Sequence, residues 1–295
     1  MVSELYPFKS NFLDMDGLKY HYVDEGSGDP VVMLHGNPTW SFFYRDVIKS
    51  LRDRFRVIVP DHIGCGLSDK PDESSYPYTL KRRVEDVERL LEHLSLKRDI
   101  TLIVHDWGGM IGMTYASRNR DAVQRFVVMN TAAFHLPGHI PFPLPLWLCR
   151  NTPVGPLLVR GLNAFCIGAV MFCCTKKKMS SEVKKAYLSP YDSWKNRVAV
   201  LRFVQDIPLR KGDESYEVVS EVEKSLSFLE KKPLLIIWGE KDFVFDRQFE
   251  KEWIRRFPDA EVHSFADAGH YILEDAGDEV IPIIGKFLDS HPLPR

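Results

Sequence analysis

ITLIVHDWGG, residues 100–109, decides the fold. ITLIV is uncharged and, apart from Thr101, aliphatic. Such runs suit strands buried on both faces of a parallel sheet. HDWGG then turns the chain sharply into a helix. A side chain at the tip of such an elbow is forced up above the sheet, and the residues two and three further on must be small for the helix to approach the strand. Asp106 occupies the tip, and Gly108 and Gly109 meet the size requirement.

The same design recurs on either side. VVMLHG (31–36), RVIVPDHIG (56–64), RFVVMN (125–130) and PLLIIWGE (233–240) are short apolar runs that end in polar or glycine-containing turns. Between them lie helical patterns: LKRRVEDVERLLEHL (80–94) puts Val84, Val87, Leu90, Leu91 and Leu94 on one stripe, with charges opposite. Alternating strands and helices predict an α/β fold with a mostly parallel, doubly wound sheet. LKYHYVDEG (18–26) reads as an antiparallel edge hairpin, and EVVSEVEKSLSFLEK (217–231) as a core helix.

The pattern breaks after Asn130. Residues 126–175 carry only two charges, Arg150 and Arg160, where the chain's 27% charged content leads one to expect about 13. Residues 134–212 therefore read as a helical cap inserted after the sixth strand, with 1–133 and 213–295 forming the core domain. A thin cap cannot bury so much apolar surface against the sheet alone. At about 25 cal/mol per Å² of buried apolar surface, the excess is expected to line a deep pocket, to meet another subunit or to touch a membrane surface. KKK (176–178) suits an anionic one.

Bulk properties narrow the field. The 295 residues suffice for one large domain or two smaller ones. A net charge of −2 offers no basic excess for phosphates, which excludes nucleic acid as a partner. Five cysteines without a C-x-x-C pair read as small apolar side chains in a reducing compartment. MVSELYPFKSNFLDMDG lacks the basic and apolar regions of a signal peptide. The longest uncharged apolar run, 161–174, falls short of the roughly 20 residues of a spanning helix. A soluble, cytoplasmic protein is expected.

Ligands of open parallel sheets bind beyond the carboxyl ends of the strands. There the chain offers HGNPTW (35–40), DHIGCGLSD (61–69), HDWGG (105–109), Asn130, WGEKD (238–242) and, after a last short strand, His270. Asp106 alone reads equally as a helix cap or as a nucleophile. No G-x-S-x-G occurs. Asp242 and His270 each follow a strand, and nucleophile, acid, then His is the chain order of α/β-hydrolase triads. That order favours the nucleophile. Asn130 sits where some relatives place the acid but cannot carry its charge, so Asp242 takes the role. Glu274 and Asp275, on the first turn of a helix, read as compensating its dipole.

HGNPTWSFFYR, DHIGCGLSDKP, VHDWGG, WGEKD and DAGHYILED together resemble the haloalkane dehalogenase family of α/β-hydrolases, over about residues 18–290. Asn37 and Trp107, the acid after the later strand and AYLSPYDSWKNRVAVLRFVQDIPL (186–209) resemble one subgroup, which includes the β-lactone decarboxylases that finish long-chain olefin synthesis. The two activities share one constellation. The resemblance implies attack by the Asp106 carboxylate on the carbon of a carbon–halogen bond of a small apolar substrate. The Trp107 indole and the Asn37 amide would then hold the departing halide ion, and their backbone N–H groups the oxyanion. His270 would activate water against the alkyl ester, oriented by Asp242. It implies no metal and no organic cofactor, and a β-lactone is the alternative substrate.

Rivals differ at named positions. Epoxide opening uses two cap tyrosines as acids; Tyr187 and Tyr191 are only four residues apart, in a Lys-rich stretch, and read as surface or packing residues. Fluoroacetate dehalogenases carry Arg where Trp107 stands. A non-catalytic hydrolase-like binding protein has no need of all three triad positions. Asp61 and its glycines read as turn chemistry, and His35 as support for the loop carrying Asn37. His135 and His139 lack partners at metal spacing. Trp40, Phe42 and Phe43 either line the pocket or pack the first helix.

Overall fold

The computed structural model describes residues 2–136 and 142–293. Its centre is an eight-stranded sheet in the order β1-β2-β4-β3-β5-β6-β7-β8. The strands are β1 (Asn11–Met15), β2 (Leu18–Glu25), β3 (Pro30–Leu34), β4 (Arg56–Pro60), β5 (Ile100–Asp106), β6 (Val123–Thr131), β7 (Leu234–Gly239) and β8 (Glu261–Phe265). The β1–β2 and β2–β4 pairs are antiparallel and every other pair is parallel.

The apolar runs have the two-sided burial expected of them. All seven residues of β5 are buried. Leu102 and Val104 enter one core, with Val84, Val87 and Leu90 of the helix Leu80–His93. Ile103, between them, enters the other, with Val47 of Arg45–Leu51 and Val280 of Gly277–Ser290. Alternation along the strand thus feeds both faces.

Two details differ from the sequence reading. The hairpin pairs 18–25 with the upstream strand Asn11–Met15, which forms the sheet edge, so 18–25 is an interior strand held also by β4. Asp16 and Gly17 make the turn with φ of 59° and 87°, the left-handed backbone of a two-residue hairpin loop. The helix expected at 217–231 is Tyr216–Ser225 followed by a 3-10 turn, Leu226–Leu229.

Between β6 and β7 run the helices Leu144–Asn151, Ala164–Phe172, Ser181–Leu188 and Val198–Gln205. Their own core is small: Val159, Cys166, Tyr191, Val200 and Leu201. Most of their other anchors are borrowed from the sheet. Val198, Ala199 and Phe203 join one main core; Ala169, Val170, Ala186 and Tyr187 join the other. The segment therefore packs against both main cores and carries residues that line the space above Asp106.

Candidate active site

β5 ends on Asp106 with φ 51° and ψ −127°, a conformation that costs an L-residue about 1–3 kcal/mol. The surroundings hold it there. Thr131 Oγ1 donates to the Asp106 carbonyl. A Cβ on Gly108 would collide with the Leu34 carbonyl, and one on Gly109 with the Thr131 side chain. The helix Trp107–Arg118 can start this close to the sheet only because both positions lack a side chain.

The elbow presents the carboxylate to three groups. Asn37 N donates to Oδ1 at 2.7 Å, and the backbone N–H of Trp107 also bonds the carboxylate. His270 Nε2 lies 3.6 Å from Oδ2. On its far side, His270 Nδ1 lies 2.7 Å from Asp242 Oδ2, so Nδ1 carries the proton and Nε2 faces Asp106. Asp106, His270 and Asp242 are all buried. Burial pushes the Asp106 carboxyl up from its usual range, against the pull of His270 and the two N–H groups. Burial alone would lower the His270 pKa, but the charge and hydrogen bond of Asp242 outweigh it and the net shift is upward.

Several supporting residues escaped the sequence reading. Asn130, passed over as an acid, donates through Nδ2 to Asp242 Oδ2 at 2.9 Å and to the Gly239 carbonyl, while its Oδ1 accepts Gly239 N. Val244 N and Phe245 N donate to Asp242 Oδ1 at 2.6 and 3.0 Å. His105, beneath the elbow, donates from Nε2 to the His270 carbonyl at 2.8 Å. A polar residue inside an apolar strand was the only signal for it.

Glu274 and Asp275 do more than offset a helix dipole. Glu274 takes two hydrogen bonds from Arg45 and one from Tyr187. Asp275, fully buried, accepts the backbone N–H groups of Gly269, Thr175, Lys176 and Lys177 at 2.7–3.0 Å. Tyr271 N donates to the Cys173 carbonyl beside them at 2.9 Å. Charge at a helix start and capping of a distant loop look alike in sequence.

Above the carboxylate lies a cavity of about 880 Å³. Asn37, Asp106, Trp107 and His270 line its floor; Phe134, Leu146, Leu158, Ala169, Phe172, Val204, Ile207, Phe245 and Phe249 are among its walls. The Asn37 amide is only partly available, because Nδ2 donates to the Val200 carbonyl at 3.1 Å. Its expected role as a halide donor is thereby reduced to the second amide hydrogen.

Tyr187 and Tyr191 are buried away from the cavity, with hydroxyls on Glu274 and on the Thr39 carbonyl. Trp40, Phe42 and Phe43 pack in the core and do not line the cavity. His35 accepts His62 N through Nε2 and supports the Asn37 loop from below. Asp61 does shape its turn, accepting Leu67 N. It also pairs with buried His21 at 2.8 Å; burial alone would raise its pKa, but His21 holds it well below the carboxylate range. His135 bonds Ser220 and stacks on Tyr216, and His139 lies outside the described residues. Among the described residues no three His, Cys, Asp or Glu side chains group as metal ligands.

Comparison with known proteins agrees with the fold. The α/β hydrolase fold family matches residues 29–150. A cis-3-alkyl-4-alkyloxetan-2-one decarboxylase of Shewanella oneidensis is 55% identical over 98% of this chain and 91% of its own. Haloalkane dehalogenase 2 of Mycobacterium tuberculosis is 33% identical over 95% of each. The crystal structure of the haloalkane dehalogenase DatA of Agrobacterium tumefaciens C58 superposes with a TM-score of 0.83, at 25% identity and 96% coverage of each chain. The fold places the protein among the α/β-hydrolases. Within that class the chain belongs to the haloalkane dehalogenase family, together with relatives named as β-lactone decarboxylases.

Proposed function

We propose that the protein is a β-lactone decarboxylase, which splits a four-membered lactone bearing two alkyl chains into an alkene and carbon dioxide. The carrying observation is the 55% identity, over nearly the whole chain, to a relative of that name. In this reading residues 134–212 act as a cap over the core of 1–133 and 213–295. The large apolar cavity between them supports a substrate that is mostly hydrocarbon.

Asp106 attacks the sp³ ring carbon bonded to the ring oxygen. A C–O bond to Asp106 forms, the ring C–O bond breaks, and the substrate's carboxylate is released on the chain. That group leaves as an anion without needing a proton, as a halide does. The Trp107 indole N–H and the free Asn37 amide hydrogen receive it. The bond from the second ring carbon to the carboxylate then breaks. Its electrons form the C=C bond and expel Asp106, and carbon dioxide departs. No water is consumed and no proton is gained or lost. Asp242 favours the cationic form of His270, whose charge opposes protonation of buried Asp106.

Hydrolysis of bromoalkanes is the second reading, favoured by the 33% identical dehalogenase. It needs the same attack, followed by water activated at His270. A cis-3,4-dialkyl lactone incubated in ¹⁸O-water separates the two chemistries. Alkene and unlabelled carbon dioxide from the native protein, and none from Asp106→Asn, are expected. A labelled β-hydroxy acid as the product would sink the decarboxylase reading. In the second reading, His270→Ala exposed to a long-chain bromoalkane accumulates the alkyl mass on the peptide containing Asp106.

A further inference from the structure

We infer that the outer face of residues 144–172 seats the protein on an anionic lipid bilayer, with the cavity mouth opening toward the lipid. Nine of the thirteen large apolar side chains exposed among the described residues lie in this stretch. Phe172, Leu144 and Leu162 are 68%, 67% and 62% exposed. The helices that carry them pack one against the next. No single helix among the described residues is long and apolar enough to cross a membrane, but Val154–Gly161 and Ala164–Phe172 meet at a 65° bend. The helix AFCIGAVMF is apolar on every side, and only part of it is buried against the protein. That is the composition of an element with protein on one side and hydrocarbon on the other.

Three observations select the occupant. Leu144, Leu148 and Phe172 are exposed in this stretch and also line the cavity, so the apolar patch and the cavity share a border. Residues 126–175 contain no carboxylate, and cations border them. Lys176 and Lys177 are paired with Glu279 and Asp278, whereas exposed Lys178 pairs with no carboxylate among the described residues. Lys184 Nζ lies 3.5 Å from Met171 Sδ, at the edge of the apolar helix. A symmetric contact between two copies through 144–172 would bring no carboxylate from that stretch to pair these lysines. A bilayer instead offers anionic headgroups to the lysines and hydrocarbon to the face between them. On the lactone reading, a substrate with two alkyl chains dissolves in that same phase and enters without crossing water; vesicle binding itself does not depend on that reading.

The test is co-sedimentation of the full chain, without substrate, with vesicles of phosphatidylcholine alone and of phosphatidylcholine mixed with phosphatidylglycerol. Binding to the mixed vesicles, weakened by salt, is expected. Leu157→Gln with Leu162→Gln, at two exposed positions that do not line the cavity, should weaken it about 25-fold, roughly fivefold per half-exposed leucine. Lys178→Glu with Lys184→Glu should weaken binding to the mixed vesicles alone. Protein left in the supernatant at low salt, or binding unchanged in both variants, overturns the inference. So does a dimer in light scattering that the leucine substitutions dissociate while vesicles recruit nothing. Vesicle binding without lactone turnover would refute the enzymatic reading and leave this one standing.

Discussion

Asp242→Asn replaces one oxygen and has two defined outcomes, both costly. The carboxylate accepts four hydrogen bonds: Val244 N and Phe245 N on Oδ1, His270 Nδ1 and Asn130 Nδ2 on Oδ2. If the amide oxygen stays on the loop N–H groups, its NH₂ meets the NH₂ of Asn130 and leaves one buried donor unpaired. Asn130 cannot turn over to help, because Gly239 N and O fix both of its ends. If the amide flips, two backbone donors are stranded instead. Each unpaired buried donor costs about 1–3 kcal/mol, so the first arrangement wins and the expected loss of stability is about 2 kcal/mol. In it, His270 Nδ1 must accept, and the proton moves to Nε2, facing Asp106. His270 no longer holds a stable positive charge, and Asp106 loses the interaction that opposes its burial. On the lactone reading, the acid limb of turnover is set by protonation of Asp106 and should move to higher pH. Bromoalkane hydrolysis, which needs a lone pair on Nε2, should fall about 10⁴-fold, as expected for a wrong tautomer. Urea unfolding and a pH–rate profile of alkene formation read both effects. Unfolding within about 0.5 kcal/mol of the native protein, with an unmoved acid limb, would refute the reasoning.

With lactones or terminal bromoalkanes, kcat/KM should rise nearly fourfold per added methylene, at about 0.8 kcal/mol each, until the cavity is full; a flat series or a preference for two to four carbons contradicts the apolar cavity as the substrate site. Bromide or iodide should quench tryptophan fluorescence saturably, and Trp107→Phe should abolish most of that quenching; equal quenching in both proteins would mean collisional contact alone. His270 has a raised pKa in the folded state, so its ion pair contributes fully below the ordinary histidine pKa and is lost as pH rises through the raised value. Native stability should therefore decline across that interval, and Asp242→Asn should flatten the decline; parallel pH–stability curves would remove His270 as the cause.

The elbow was legible because its requirements are local. A buried strand, a tip residue and two glycines follow one another, and each demand is met by a neighbour a few positions away. The positions of Asp242 and His270 followed from where strands end. What stayed hidden depends on contacts between distant segments. Asn130 acquires its role from Gly239 and Asp242, and His105 from the His270 carbonyl. The bond from Asn37 to Val200 exists only because the inserted helices dock where they do. The edge strand Asn11–Met15 was missed for a simpler reason: Phe12 is half exposed and Asp14 faces outward, so NFLDM never shows the apolar run that marks the interior strands.

Asp275 makes the roof and the histidine difficult to inherit separately. One carboxylate gathers backbone from the loop before His270 and from the segment leaving Ala164–Phe172. A chimera that grafts a relative's 134–212 onto this core would bring a foreign backbone to that junction. Any mismatch in the length or path of 173–177 would be passed through Gly269 to the imidazole, only one residue away. Substrate range in this lineage is therefore expected to drift by point changes on the cavity walls, with the junction kept as a unit. Recombination that succeeds should carry residues 173–177 and 267–275 together from the same parent.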